Sequence, residues 1–406
     1  MQTHRQRTGF AGRAGRRGGF ACGLGRALLG CAAIATTALA GCAPEPSPTP
    51  QPTHDTQPAP KPPTAAEQRH ARATEWVAAA STRELAGAVI MASVPTTDPG
   101  QLRELMAGTG IGGFILMGAN VPGTAEELAG LTAQLTVDPE LPPLVGIDEE
   151  GGLVTRLPWD TLAGADTLRS EPPEATLAAF SERAALLSAS GVNVNFGVVA
   201  DVTSAEWSFI YQRTLGATGA EAAPRVAAAV AGERGVVAST LKHFPGHGAT
   251  DDDSHSGIPR TDLSLDAWRA NDKLPFAAGI DAGAELLMFG HLSYPSLSLA
   301  PASLAPEWYA LARDELGFDG VAVTDDLGML RASGVPEYQD ATATTVAALA
   351  AGADLALTVI GMDAPGVAAL VDGVTAAAEA GTLPDARLRE AATRVTELRL
   401  ELAEAR

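Results

Sequence analysis

The residues best able to do chemistry in this 406-residue chain stand where short apolar runs stop. Beyond position 70 only four histidines remain: His243, His247, His255 and His291. His243 and His291 each end an apolar run, as do the carboxylates Asp148, Asp201 and Asp325, while His247 and His255 come in the loop after His243. The densest segment is 242–248 (KHFPGHG), continuing to Asp253-Ser254-His255. Its proline and glycines exclude a helix, so His243 and His247 do not share a helical face, which weakens a zinc reading. A metal held by His243, His247, Asp253 and His255 stays geometrically open. The other chemistry is acid–base: a carboxylate two residues before a histidine can orient the imidazole and favour its protonated form, although a solvated loop looks the same in sequence.

Asp325 follows VAVT and precedes Asp326-Leu327-Gly328-Met329. A carboxylate there could be a nucleophile, a base or a metal ligand. Asp326 would point the other way and fits a helix N-cap at least as well as Asp325 does. A third cluster, 146–152 (GIDEEGG), is followed by Arg156. Its glycines permit a tight turn or a close approach to a ligand, and an Asp with an Arg suits a polyhydroxylated molecule.

These side chains need a frame that brings strand ends together. Apolar, β-branched runs at 87–94, 113–117, 144–148, 192–199, 236–243, 286–291, 321–325 and 355–359 alternate with helical periods at 124–136, 174–190, 219–234, 264–282, 303–316, 338–351 and 366–380. Thr124 and Glu127 are spaced for a capping box. Eight strand–helix alternations predict a single (β/α)₈ TIM-type barrel over 71–406, whose strand C-termini converge on one mouth. No glycine-rich turn follows the first strand, which argues against a dinucleotide-binding open sheet.

Composition narrows the class further. Hydrophobic residues make up 46% and charged ones 19%, enough to fill a core. All three cysteines (Cys22, Cys31, Cys42) come first, so the barrel has no disulfide, thiolate metal site or cysteine nucleophile. Residues 1–41 carry six arginines and no acid, and residues 42–406 hold 22 basic against 48 acidic residues, a net charge of −26. That surface repels nucleic acid. Residues 1–41 read as an export signal ending Leu39-Ala40-Gly41-Cys42, which resembles a lipoprotein lipobox with Cys42 acylated; Arg16-Arg17 leaves a twin-arginine route open. Residues 42–70 read as the lipidated cysteine and a spacer, with nine of the 28 prolines at 43–63. The expected location is the outer face of the cell membrane.

Together the segments 146–156 (GIDEEGGLVTR), 209–215 (FIYQRTL), 242–259 (KHFPGHGATDDDSHSGIP), 288–294 (MFGHLSY) and 317–329 (GFDGVAVTDDLGM) resemble the catalytic barrel of glycoside hydrolase family 3, in its β-N-acetylglucosaminidase (β-N-acetylhexosaminidase) branch. The resemblance implies Asp325 as nucleophile and His255 as general acid/base, paired with Asp253. It implies substrate contacts from Asp148, Arg156, Arg213, Lys242 and His243, with Arg213 resting on the loosest match. It implies a structural part for His247 and gives His291 no more than a place near the mouth. Glu149 stands where many members have Gln. The implied reaction is retaining removal of terminal, non-reducing N-acetylglucosamine by a monomer without cofactor or metal, from peptidoglycan fragments in cell-wall turnover. The alternatives are phosphorolysis, attack by the substrate's own acetamido group, a metal-dependent hydrolase, and an inactive sugar-binding lipoprotein.

Overall fold

The computed structural model describes residues 61–250 and 257–405. Eight short strands lie parallel in one sheet: β1 (Ile90–Ala92), β2 (Gly113–Leu116), β3 (Leu144–Ile147), β4 (Val194–Val199), β5 (Ala238–Phe244), β6 (Leu286–Phe289), β7 (Val321–Thr324) and β8 (Ala356–Thr358). Each pairs with its sequence neighbour from β1 through β7, and β8 pairs with β1, with Ile90 opposite Ala356. A bridge between Val323 and Leu355 and the bond from Thr324 N–H to Leu355 C=O (3.1 Å) close the ring between β7 and β8. This is the expected barrel.

All eight strand candidates form, most of them shortened. The run 87–94 loses most, because Gly87 belongs to the helix Thr82–Ala88 that feeds β1. The period at 264–282 becomes two helices, Leu265–Ala270 and Lys273–Asp281. Asn271 leaves helical geometry (φ −134°, ψ −70°), and its side chain accepts the Gly219 N–H at 2.8 Å. At Thr124 only half of the capping box forms: the hydroxyl accepts the Glu127 N–H, and no return bond is made. Complete boxes start two other helices, at Thr64–Glu67 and Ser81–Glu84. The helix Ala65–Ala79 begins inside the range read as spacer.

The sheet is apolar on both faces. Outward residues such as Phe114, Ile147, Leu241 and Phe289 meet the helices, and inward ones such as Met91, Ile115, Val194, Phe196, Met288 and Val323 fill the barrel. Val395, Leu398 and Leu402, on one face of the helix Asp385–Glu404, join the inward cluster and plug the end opposite the strand C-termini. The filled interior leaves the strand C-terminal mouth as the place where polar groups can gather.

Candidate active site

Seven of the strand-end and loop residues expected to carry chemistry line one cavity of about 340 Å³ at that mouth: Asp148, Arg156, Arg213, Lys242, His243, His247 and Asp325. Their charges interlock. Lys242, at the end of β5 and 2% exposed, places Nζ 2.9 Å from Asp148 Oδ1 and 2.7 Å from Glu150 Oε1. Arg213 Nε and Nη2 grip Glu150 at 2.9 and 2.7 Å, and Arg156 Nη2 lies 3.5 Å from Asp148 Oδ2. Burial pushes the Glu150 carboxyl up, but the Lys242 and Arg213 charges outweigh it and hold the group down to about 2. Burial likewise disfavours the Lys242 ammonium, and Asp148 and Glu150 overcome that and raise it above its ordinary value. Donors and acceptors thus alternate along the cavity wall, a pattern suited to vicinal hydroxyls.

Asp148 and Glu150 reach the same side because they are two residues apart on an extended chain, while Glu149 points away. The chain then reverses at Gly151 and Gly152 (φ 79° and 61°), a conformation that side chains with a Cβ rarely adopt. The Glu150 N–H donates to Val154 C=O at 3.0 Å, and Arg156 is returned to the cavity. Glu150 was not singled out in sequence; its spacing from Asp148 is the signal that finds it.

Asp201 is fully buried and organises the β5 end. Its carboxylate accepts the His243 N–H (3.1 and 3.2 Å) and the His247 N–H (2.5 Å), and its Oδ2 lies 2.7 Å from His243 Nδ1. That commits Nδ1 and leaves Nε2 on the cavity side. Burial raises the Asp201 carboxyl, and the opposing pull of His243 and then His247 leaves it below its usual range. His247 packs edge-on against Phe209, with ring centroids 4.9 Å apart, and burial together with His243 lowers it to about 4, so its ring is neutral at pH 7.

Asp325 and Asp326 divide the work after β7. Asp326 accepts the Gly328 and Val359 N–H groups on Oδ1, each at 2.8 Å, and Ile360 N–H on Oδ2 at 3.0 Å, so it caps the helix Leu327–Ala332 and ties it to the end of β8. The half-buried Asp325 faces the cavity, and its Oδ1 accepts the Asp326 N–H at 2.8 Å. Burial raises its carboxyl, but His243, His291, that amide and Lys242 together hold it below the usual range, as a carboxylate. His291 supports this turn from beneath: Nε2 donates to Asp326 C=O at 2.9 Å, and Nδ1 pairs with Ser303 Oγ at 2.8 Å.

Cys42, Asp253 and His255 lie outside the described residues. The chain leaves β5 through the turn His247–Ala249 and is described again from Gly257, where Pro259 C=O accepts the Ser293 N–H at 2.9 Å. Among the described residues no group of three or more His, Cys, Asp or Glu is arranged to hold a metal ion.

Residues 83–398 match the family described as glycosyl hydrolase family 3 N terminal domain. A beta-hexosaminidase of Stenotrophomonas maltophilia (strain R551-3) is 34% identical over 276 residues, 63% of this chain and 78% of that protein. Among solved structures, a glycoside hydrolase family 3 beta-N-acetylglucosaminidase from Paenibacillus sp. str. FPU-7 superposes with a TM-score of 0.75 at 30% identity, over 80% of this chain. The match spans 63% of that longer protein. A beta-N-acetylhexosaminidase from Beutenbergia cavernae DSM 12333 superposes with a TM-score of 0.68 at 29% identity, over 78% of this chain and 97% of its own.

Proposed function

The chain belongs to glycosyl hydrolase family 3, and from that membership we propose that it is a retaining exo-β-N-acetylglucosaminidase. A glycoside hydrolase needs a group to attack or screen the anomeric carbon and a second to protonate the leaving oxygen. The observation that carries the reading is Asp325, a carboxylate kept ionised on a cavity whose other wall alternates Asp148, Lys242, Glu150 and Arg213. Asp325 attacks the anomeric carbon of a terminal, non-reducing sugar and forms a covalent glycosyl-enzyme, breaking the glycosidic bond. His255, as imidazolium held by Asp253, gives its proton to the leaving oxygen. Neutral His255 then takes a proton from water, which displaces Asp325 with net retention. Asp148, Arg156, Arg213, Lys242 and His243 hold the sugar hydroxyls. The relatives' beta-hexosaminidase and beta-N-acetylglucosaminidase names support the 2-acetamido sugar as the substrate class.

The test is turnover of nitrophenyl β-N-acetylglucosaminide, with and without phosphate. Release of free N-acetylglucosamine as the initial β-anomer supports the proposal. Sugar-1-phosphate formation would replace it with phosphorolysis, and an initial α-product would exclude retention. A 2-fluoro sugar should label Asp325; a label on another residue overturns the assigned nucleophile.

The same proposal places the enzyme on the outer face of the cell membrane through acylated Cys42, trimming soluble peptidoglycan fragments. It rests on the lipobox-like Leu39-Ala40-Gly41-Cys42 and the proline-rich 43–63. Fatty-acid labelling of cells should mark the wild type and spare Cys42→Ala. Labelling that survives the substitution removes the anchor from the proposal.

A further inference from the structure

Glu149 stands between two cavity residues, yet its own side chain is fully buried on the opposite side of the chain. Its Oε2 accepts the N–H of Arg156 at 2.8 Å and of Leu157 at 3.1 Å. Those bonds draw the returning limb of the 148–157 loop onto the outgoing one. Asn195 pins the same residue by its main chain, accepting the Glu149 N–H at 3.1 Å and donating to Glu149 C=O at 3.0 Å. The other carboxyl oxygen, Oε1, is buried with no hydrogen-bond donor. Asp160 is brought beside this carboxyl by Leu157, whose C=O accepts the Asp160 N–H at 3.0 Å while its own N–H goes to Glu149, and the two carboxyls interact.

Asp160 has its own partners. Oδ1 accepts the Leu162 N–H at 2.8 Å, and Oδ2 takes Arg183 Nε at 2.8 Å in an ion pair with side chains 0% and 1% exposed. The single guanidinium neutralises one carboxylate. Two interacting carboxyls in such a place are stable only with a proton between them.

We propose that Glu149 is a positioning residue that carries this proton: its Oε1–H donates to Asp160, and the bond holds the loop that presents Asp148, Glu150 and Arg156. The inference rests on the reading of the cavity as the sugar site. The ionisable groups around it are Asp160 on the following loop, Arg183 from the helix Pro173–Ala189, and Glu233 from the helix Gly219–Glu233, which reaches Asn195 Nδ2 at 2.5 Å. Asp148, Glu150, Lys242 and Arg213 form the cavity side. Burial pushes the Glu149 carboxyl up to about 8; the Arg156 amide pulls it down, and Asp160 adds to the rise.

The experiment compares wild type, Glu149→Gln and Glu149→Ala on nitrophenyl β-N-acetylglucosaminide from pH 6 to 9. A Gln amide can accept the two N–H groups and donate to Asp160, as the protonated acid does. At pH 6 Ala should raise KM about 10- to 100-fold and Gln should restore it to within about threefold. Above pH 8 KM should climb in the wild type and stay level in Gln. An equal alkaline rise in Gln, a level wild type, or a Gln variant as impaired as Ala overturns the inference. If the wild type leaves this glycoside uncut, the sugar-site reading fails, and thermal unfolding still tests the proton. Gln must then lessen the loss of stability between pH 6 and 9 by about one proton; an unchanged slope overturns the inference.

Discussion

The Asp201 carboxylate holds His243 at two points, its backbone N–H at 3.1 Å and its ring Nδ1 at 2.7 Å, and so sets which face of the imidazole meets the cavity. His243 in turn is the largest favourable charge acting on Asp325. Position and electrostatics are therefore passed from a residue with no access to solvent to the proposed nucleophile.

Replacing Asp201 tests that relay. Asp201→Ala strips a buried acceptor from His243 and His247 and should destabilise the fold by about 3 kcal/mol, because it orphans bonds to a charged group. Asp201→Asn keeps the shape but loses the charge, so it should cost less stability. Urea denaturation measures both; equal midpoints for wild type and Ala would refute the role.

Substitution of the adjacent aspartates should separate chemistry from architecture. Asp325→Ala is expected to lower kcat on the nitrophenyl glycoside by ~10⁴ or more, with the circular dichroism unchanged. Asp326→Ala removes a helix cap and the tie to β8, so it should destabilise by about 1–2 kcal/mol. Thermal melts and steady-state rates distinguish the two, and an active Asp325→Ala would end the nucleophile assignment.

Lys242→Met should leave Asp148 and Glu150 without their shared cation. Breaking a buried ion pair from one side typically costs about 3–5 kcal/mol, partly relieved here because Arg213 still holds Glu150 and Arg156 Asp148. The expected outcome is a lower melting temperature and a kcat/KM reduced by at least ~100-fold. Near-normal kinetics in a folded variant would contradict a cavity wall organised by this lysine.

Stability should fall between pH 5 and pH 8. Burial raises Glu233 to about 8 and Glu285 to about 7, against an ordinary value of 4.5. Over that interval these two carboxyls bind more protons in the folded state than in the unfolded one and outweigh His247, which is held down to about 4 and works in the opposite sense below 6.5, so raising the pH destabilises the fold. This contribution is complete below about 4.5 and is gone above about 8. Glu150, held at about 2, acts in the opposite sense: its contribution is present above 4.5 and is lost as the pH falls toward 2. Melting temperature against pH should peak near pH 5, and Glu233→Gln should flatten the alkaline decline. A protein that grows more stable from pH 5 to 8 would refute this.

The eight strands were legible because each is a short apolar or β-branched run with a polar stop, and the stops are the site. Asp148, His243 and Asp325 could be placed at one mouth for that reason, whereas Arg213, in the turn Tyr211–Arg213, is reached only through the family resemblance. The helix Asp385–Glu404 was not anticipated, since its plugging face, Val395, Leu398 and Leu402, has meaning only once a barrel interior exists to receive it. Asp201 showed in sequence as a strand end and nothing more, because its partners, two main-chain amides and the His243 ring, lie 42 and 46 residues away. The break at Asn271 was equally hidden, being made by a bond to Gly219.

That plug also sets an order of events during synthesis. When the eighth strand has left the ribosome, the cylinder is still open at its base, and Met91, Val194 and Leu286 have no cover there. The hydrophobic interior is finished only when residues 385–404 arrive, so the eight strands by themselves leave part of their apolar lining uncovered.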